Sequence, residues 1–250
     1  MKALLPLLAG LTTMTAGNLE AKTTPPSGNI SPALAAHTEQ RIDGDLWKRT
    51  GLSPRDRALV AIAALIARGE STGVGAYADK ALEYGVKPAE LSEAVLHLAY
   101  YTGWGNAINA VAPITSVFER RGIGADQLPD VSPQLLPLDE AAEAARSTHV
   151  SAQFAAVVPG LVDYTTSYLF RDLWLRPDLA PRDRSMVTVA ALMTMGQAEQ
   201  IPFHLNKAMD NGLTATEAGE IVTTIAFYAG WPKAFSAAPV VAKVLEQRGG

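Results

Sequence analysis

The feature that most constrains this sequence is an internal duplication. When each residue n is paired with residue n+127, residues 32–122 align with residues 159–249 without a gap. About a third of the paired positions are identical, and they include a Pro-Arg-Asp-Arg segment that begins at Pro54 in the first copy and at Pro181 in the second. A repeat of this length indicates two copies of one supersecondary unit, each covering part of a shared apolar surface.

Both copies have the pattern of packed helices. Ser53 and Pro54 form a typical helix start, and residues 58–69 after them are apolar on nearly every side, as expected for a central helix. In the second copy, Thr214 and Glu217 have the spacing of a capping box. No segment alternates apolar and polar residues between hairpin turns. The sequence therefore predicts an all-α fold of two tandem helical modules, related by a pseudo-two-fold axis and packed together.

The segments outside the two copies differ in composition from them. Lys2 and the apolar run of residues 3–11 precede small and polar residues up to about residue 31, which is the order found in a secretory signal peptide. The apolar run is too short for a stable membrane anchor. We therefore expect export to the periplasm or the exterior, and the alternative is a disordered cytoplasmic tail. Residues 123–158 link the modules, and their Ala- and Glu-rich part predicts one helix.

Composition excludes several classes of function. The chain has 21 Lys and Arg and 25 Asp and Glu, with no long run of one sign, so nothing indicates a nucleic-acid partner or a polybasic membrane surface. It has no cysteine, which excludes disulfides, thiolate metal sites and thiol chemistry.

The two copies differ most just after the central helix. The second copy has Gln197, Glu199, Gln200 and His204 close together, where residues 70–77 of the first copy lack both the histidine and this glutamate. A duplicated scaffold can keep a site in one half only. His204 is a candidate general acid or base, which Glu199 orients or assists. The alternative is a half-buried structural histidine and a solvated glutamate. Their spacing matches no familiar metal site.

Arginines at the start of the second central helix are candidates for substrate binding. Arg184 and Arg182 lie where a guanidinium and the positive end of a helix can together hold a carboxylate. Alternatively, these arginines pair with Asp56 and Asp183 and hold the modules together. Trp231 is a candidate for stacking on a ligand, although such a tryptophan is as well explained as a core or interface residue.

The order of these motifs resembles the carboxymuconolactone decarboxylase family, within the alkylhydroperoxidase D-like superfamily. The resemblance rests on the Asp-Leu-Trp, Pro-Arg-Asp-Arg and Ala-Ala-Leu segments, on Gln-x-Glu-Gln-x-Pro-Phe-His-Leu, and on Ala-Phe-Tyr-Ala-Gly-Trp-Pro. Both copies show it, and the second copy matches better. It implies decarboxylation of 4-carboxymuconolactone or a similar compound without metal or organic cofactor. Single-module members form closed rings, so a two-module chain is expected to form a homo-oligomer, a trimer.

The peroxidase branch of the superfamily uses a Cys-x-x-Cys pair followed by a histidine. In this sequence those positions are Gln197, Gln200 and His204, and the glutamate that precedes them in that branch is replaced by Ser185. Thiol-based peroxide reduction is therefore excluded, because no thiolate exists to attack the peroxide. What remains is a cysteine-free site suited to proton transfer.

The resemblance and the residues together predict an enzyme that acts on a small carboxylated lactone through one site, in the second module. The catalytic residues expected are His204 and Glu199. The substrate-binding residues expected are Arg184, Arg182, Gln197, Gln200 and Trp231. Two alternatives remain open: a non-catalytic ligand-binding or assembly protein on the same scaffold, and a cofactor-free lactone isomerase or hydrolase.

Overall fold

A computed structural model describes residues 30–249, and all regular secondary structure in that range is helical. The all-α prediction is therefore confirmed. The helices of the first module are α1 (Pro32–His37), α2 (Pro54–Ala67), α3 (Ser71–Glu83), α4 (Pro88–Thr102) and α5 (Trp104–Arg121). The linker forms α6 (Glu140–Phe154), and the second module forms α7 (Pro159–Tyr164), α8 (Pro181–Met195), α9 (Ile201–Asp210), α10 (Ala215–Tyr228) and α11 (Trp231–Gln247). The predicted signal peptide, and most of the predicted linker between it and the first module, lie outside the described residues.

The helix boundaries follow from local chemistry. The Ser53 hydroxyl accepts a hydrogen bond from the Asp56 backbone N–H at 3.1 Å and caps α2. Thr214 and Glu217 form the predicted capping box at the start of α10. The break between α10 and α11 falls at Gly230, whose φ of 97° is a conformation that residues with a Cβ rarely adopt. Sequence patterns thus determine where these helices begin and end.

The central helices α2 and α8 pack against each other and are buried on nearly every side. A helix that is apolar on every side must be packed on every side. Each central helix obtains part of this packing from a helix of the other module. Helix α4 of the first module packs on α8, and α10 of the second module packs on α2. One hydrophobic cluster therefore runs through both modules, and each module completes the core of the other.

Ion pairs between the two modules accompany this packing of helices. Arg55 pairs with Asp183 of the other module at 2.8 Å, and Arg182 pairs with Asp56 at 2.9 Å. These two contacts are equivalent under the repeat. They place four charged groups at the point where the two central helices begin, and each partly buried arginine bridges aspartates of both modules.

Two further features position the candidate site. The short helices α1 and α7 each continue into a wide helical turn, Thr38–Asp43 and Thr165–Phe170, that the sequence pattern did not predict. The linker forms the predicted helix, α6, which packs against α7 of the second module. No helix of residues 30–249 is long and apolar enough to cross a membrane.

Candidate functional site

An aromatic cluster lies where α4 of the first module meets α8 and α9 of the second. We call it the histidine site; its members are Tyr101, Phe170, Trp174, His204 and Lys207. The Trp174 indole N–H donates a hydrogen bond to the Tyr101 hydroxyl at 2.9 Å. The His204 ring stacks against Trp174, with centroids 6.0 Å apart, and meets Tyr101 edge to face at 5.2 Å. Side chains from both modules therefore build this site.

The repeat creates an equivalent cluster on the other side of the molecule. We call it the tyrosine site; its members are Asp43, Trp47, Tyr77, Lys80 and Tyr228. The Trp47 indole N–H donates to the Tyr228 hydroxyl at 3.1 Å, and the Tyr228 hydroxyl donates to the Tyr77 hydroxyl at 2.9 Å. Tyr77 occupies the position of His204. A continuous chain of hydrogen bonds therefore links the three aromatic side chains of this site.

The two sites differ in how their lysine is neutralised. Lys80 lies 3.7 Å from the centre of the Trp47 ring and forms an ion pair with Asp43 at 3.5 Å. Lys207 lies 4.9 Å from the Trp174 ring centre, but Phe170 stands where the first module has Asp43, and Lys207 forms no ion pair with any described residue. Burial lowers the pKa of Lys207, while carboxylates farther away, Asp210 first, oppose this shift. Among the described residues, the histidine site therefore keeps a lysine without a direct ion pair.

His204 is also left unsatisfied. The residue is only 7% exposed, and its Nδ1 is buried without a hydrogen-bond partner among the described residues. Burial, assisted by the positive charge of Lys207, lowers the pKa of His204 to about 4. The imidazole is consequently neutral at neutral pH. A negatively charged ligand would raise the pKa of His204 again, because an anion favours the protonated form of a neighbouring histidine.

A buried ionic network supports the histidine site from behind. Glu93 of α4 accepts hydrogen bonds from Arg176 at 2.8 Å and from Arg184 at 3.1 Å. His97 contacts both Arg184, at 3.3 Å from Nδ1, and Thr188, at 2.6 Å from Nε2. Because the Thr188 hydroxyl donates to a backbone carbonyl, His97 Nε2 carries the proton and Nδ1 accepts from Arg184. Burial and the Arg184 charge hold the pKa of His97 well below its usual value, which agrees with this neutral tautomer.

The tyrosine site has the same support with different residues. Glu220 accepts hydrogen bonds from Arg49 and Arg57, and Arg57 donates directly to the Thr224 hydroxyl at 2.8 Å. Thr224 occupies the position of His97. The network is therefore present behind both aromatic clusters, whereas an unsatisfied histidine is found in only one of them. The arginine and glutamate network is thus common to both sites, and the unsatisfied histidine is the difference between them.

Most of the polar residues that the sequence proposed for the site lie elsewhere. Gln197, Glu199 and Gln200 are exposed, and none of their side chains forms a hydrogen bond with the His204 side chain. Glu199 instead lines an open groove of about 580 Å³ between the start of α9 and α11. Trp231 is 52% exposed. Of these candidates, His204 alone lies in the aromatic cluster, because the turn of Ala198–Gln200 precedes α9 on its outer side.

The two arginines proposed to hold a carboxylate are engaged with protein groups. Arg184 is fully buried and donates to Glu93, to His97 and to the Arg176 carbonyl. Arg182 pairs with Asp56, Asp183 and Glu217, as the alternative explanation of this motif predicted. Neither guanidinium is presented to a ligand at the aromatic cluster.

Sequence reasoning missed Lys207, Tyr101 and His97 as members of the site or its support. Lys207 is identical to Lys80 in the repeat, so the copies looked alike at that position. The available signal was that Phe170 occupies the repeat position of Asp43, so Lys207 lacks the carboxylate that pairs with Lys80. Tyr101 and His97 belong to the first module, and only the exchange of helices brings them to the second.

Comparison with known proteins agrees with the fold and with the duplication. The model of the carboxymuconolactone decarboxylase family matches residues 32–116 and again residues 159–243. The chain is 29% identical over 87 residues to the 4-carboxymuconolactone decarboxylase of Acinetobacter baylyi, an alignment that covers 35% of this chain and 65% of that protein. It is 34% identical over 68 residues to a nitrosuccinic acid decarboxylase of Metarhizium robertsii, covering 27% and 48%.

Both alignments thus span less than two thirds of the curated relatives. A solved structure from Burkholderia xenovorans LB400, described as a gamma-carboxymuconolactone decarboxylase subunit, matches 87% of this chain and 85% of its own, with 22% identity and a TM-score of 0.46. The family match covers more than half of the sequence and falls in both modules, which confirms the resemblance seen in the motifs. This chain belongs to the carboxymuconolactone decarboxylase family.

Proposed function

We propose that the histidine site binds a small carboxylated molecule and removes one carboxylate as carbon dioxide, without a cofactor. The observation that carries the proposal is the contrast between the two sites. The tyrosine site neutralises its lysine and satisfies its hydroxyl groups, whereas the histidine site leaves Lys207 without an ion pair and His204 Nδ1 without a partner. Buried polar groups in proteins are almost always paired, so the unpaired His204 Nδ1 beside this lysine indicates a place for a ligand.

In this proposal the substrate carboxylate is bound by Lys207, and not by Arg184 or Arg182 as the sequence predicted. The Lys207 ammonium lies beside the Trp174 ring and near His204, in surroundings where burial strengthens its attraction for an anion. Arg184 contributes at a distance, since its charge lies behind Tyr101 and His97. A substrate carboxylate that pairs with Lys207 is thereby held against the aromatic rings.

The chemistry follows from the protonation states. The bond between the substrate carbon and its leaving carboxylate breaks, carbon dioxide departs, and the electron pair moves into an adjacent carbonyl to form an enolate. The Tyr101 hydroxyl is a donor for that oxygen, because burial raises the pKa of Tyr101 and keeps it protonated. His204 gains a proton when the anionic substrate binds and delivers it to the enolate carbon. The product leaves with one carboxylate fewer and one proton more.

Both curated relatives are named as decarboxylases, which supports this reaction class for the chain. The substrate proposed is a small carboxylated lactone similar to 4-carboxymuconolactone. A homo-oligomer and export from the cytoplasm remain predictions from the sequence. Ligand binding without turnover and isomerisation or hydrolysis of a lactone are the competing outcomes of the following test.

The test is turnover of 4-carboxymuconolactone by the full chain, followed by loss of ultraviolet absorbance and by release of carbon dioxide. His204→Gln should lower kcat about a hundredfold or more, as expected for loss of a general acid. Lys207→Gln should mainly raise KM, and Lys80→Gln, its equivalent in the tyrosine site, is the matched control with unchanged kinetics. Unchanged turnover in His204→Gln refutes the acid role. Thermal stabilisation by the lactone without carbon dioxide release would favour a binding protein.

A further inference from the structure

The linker between the modules contributes an arginine to the surroundings of the histidine site. Arg146 lies on α6, outside both segments that match the family model. Its guanidinium carbon is 4.2 Å from the centre of the Phe170 ring. Phe170 in turn stacks on Trp174, with the centroids 5.9 Å apart and the planes 4° from parallel. One layer of aromatic side chain therefore separates Arg146 from the ring that stacks on His204.

The hydrogen bonds of Arg146 leave one side of the guanidinium unused. Nε and Nη2 donate to the two carboxylate oxygens of Glu143, each at 2.7 Å, and Nη2 also donates to the Thr166 hydroxyl at 3.1 Å. Nη1, on the side away from Glu143, is buried and has no partner among the described residues. The side chain as a whole is 91% buried, since its exposed fraction is 9%. An arginine held in this way has a fixed orientation and two N–H groups available to an acceptor.

Arg146 is electrostatically coupled to the site. Burial raises the pKa of Tyr101, and the positive charges of Arg184 and Arg146 act in the opposite direction. Arg146 is thus close enough to influence the hydroxyl that receives the Trp174 hydrogen bond. With Lys207, which lies over the Trp174 ring, two cations from different helices contact the stacked rings of Phe170 and Trp174.

We propose that Arg146 Nη1 binds a second carboxylate of the substrate, and that the linker helix α6 thereby makes the histidine site selective for dicarboxylates. This inference rests on the proposed function, because it assumes that a carboxylated molecule occupies the histidine site. Glu143 has a positioning role, since it orients the guanidinium without contacting the ligand. The tyrosine site has no counterpart of this arginine among residues 30–249.

The test measures binding and does not depend on turnover. Succinate, glutarate and adipate are titrated calorimetrically into the full chain, each against its monomethyl ester, which keeps one carboxylate. For the best-fitting length, the wild type should prefer the diacid by about tenfold to a hundredfold, as expected for a charge-assisted hydrogen bond made in a buried setting. No preference for the diacid at any chain length overturns the proposal.

The variants separate binding from structural support. Replacing Arg146 alone would leave Glu143 buried and unpaired, so the test variant is the double substitution Glu143→Gln with Arg146→Gln. It should lose the preference for the diacid but keep the affinity for the monoester. Glu143→Gln alone keeps the guanidinium but loses its charged partner, so it should show a smaller preference than the wild type. Arg171→Gln removes the ion pair with Glu140 that also fastens α6, and it controls for loosening of this helix. An equal loss in Arg171→Gln, or equal weakening of diacid and monoester, overturns the proposal.

The role of Arg146 and the decarboxylase proposal can be refuted independently of each other. If the wild type shows the diacid preference and the double variant loses it while no lactone is decarboxylated, the role of Arg146 stands and the decarboxylase proposal fails. If the wild type decarboxylates the lactone while the double variant keeps the diacid preference, the decarboxylase proposal stands and the role of Arg146 fails.

Discussion

The lowered pKa of His204 makes a quantitative prediction about acid stability. An exposed histidine in the unfolded chain has a pKa of about 6.5, whereas burial beside Lys207 lowers the pKa of His204 to about 4 in the folded protein. Between these values the unfolded chain binds more protons than the native one. The contribution of His204 to stability is therefore fully present above about pH 6.5 and is lost as the pH falls towards 4.

The size of this effect follows from the shift. From the unfolded pKa down to pH 5 is about one and a half pH units, and each unit corresponds to about 1.4 kcal/mol. The wild type should therefore lose about 2 kcal/mol more unfolding free energy than His204→Gln between pH 7.5 and pH 5. The buried His97 acts in the same direction in both proteins, so its contribution cancels in the comparison.

Urea denaturation followed by far-ultraviolet circular dichroism at the two pH values measures the difference. His149→Gln removes an exposed histidine and is the matched control for a change in histidine number. An equal loss of stability in the wild type and in His204→Gln would refute the reasoning. So would an imidazole resonance of His204 that titrates near pH 6.5 in the folded protein, because the ring would then be solvated.

Three further predictions follow from other contacts. Binding of succinate at pH 7 should take up as much as one proton, measured by calorimetry in two buffers of different ionisation enthalpy; no uptake would contradict the protonation of His204 by an anionic ligand. Glu93→Ala leaves two buried arginines without their carboxylate and should lower the unfolding free energy by about 3 to 5 kcal/mol, while the exposed Glu140→Ala should change it little. Gly230→Ala, at a φ of 97°, should lower the melting temperature, whereas Gly219→Ala, inside α10 with open space at its Cβ, should raise it; the opposite order would refute the conformational argument.

The sequence determined the helical architecture because its signals are local. The central helix is apolar on every side, Ser53 and Thr214 cap their helices, and Gly230 ends one at a conformation that other residues rarely adopt. The constant offset of 127 residues between identical positions showed that the same unit occurs twice. Each of these features acts within a few residues or repeats at a fixed interval, so no knowledge of distant contacts was needed to recognise the all-α, two-module fold.

The sequence also identified His204, through its difference from Tyr77 of the first copy. It grouped His204 with Glu199 and the two glutamines because they are neighbours in the chain. In the folded protein these neighbours lie on the outer side of α9, and the partners of His204 come from elsewhere: Tyr101 from the other module and Trp174 from the segment before α8. Proximity along the chain was therefore a poor guide to proximity in the site.

Only the tertiary structure decided which charged groups form ion pairs within the protein. From the sequence, Arg184 was the predicted carboxylate binder and Lys207 was missed, although both are cations on helices of the second module. Packing separates them: Arg184 is closed in by Glu93 and His97, while Phe170 in place of Asp43 leaves Lys207 without its ion pair. Whether a charge is neutralised depends on contacts between residues far apart in the chain, and the exchange of helices between the two modules sets those contacts.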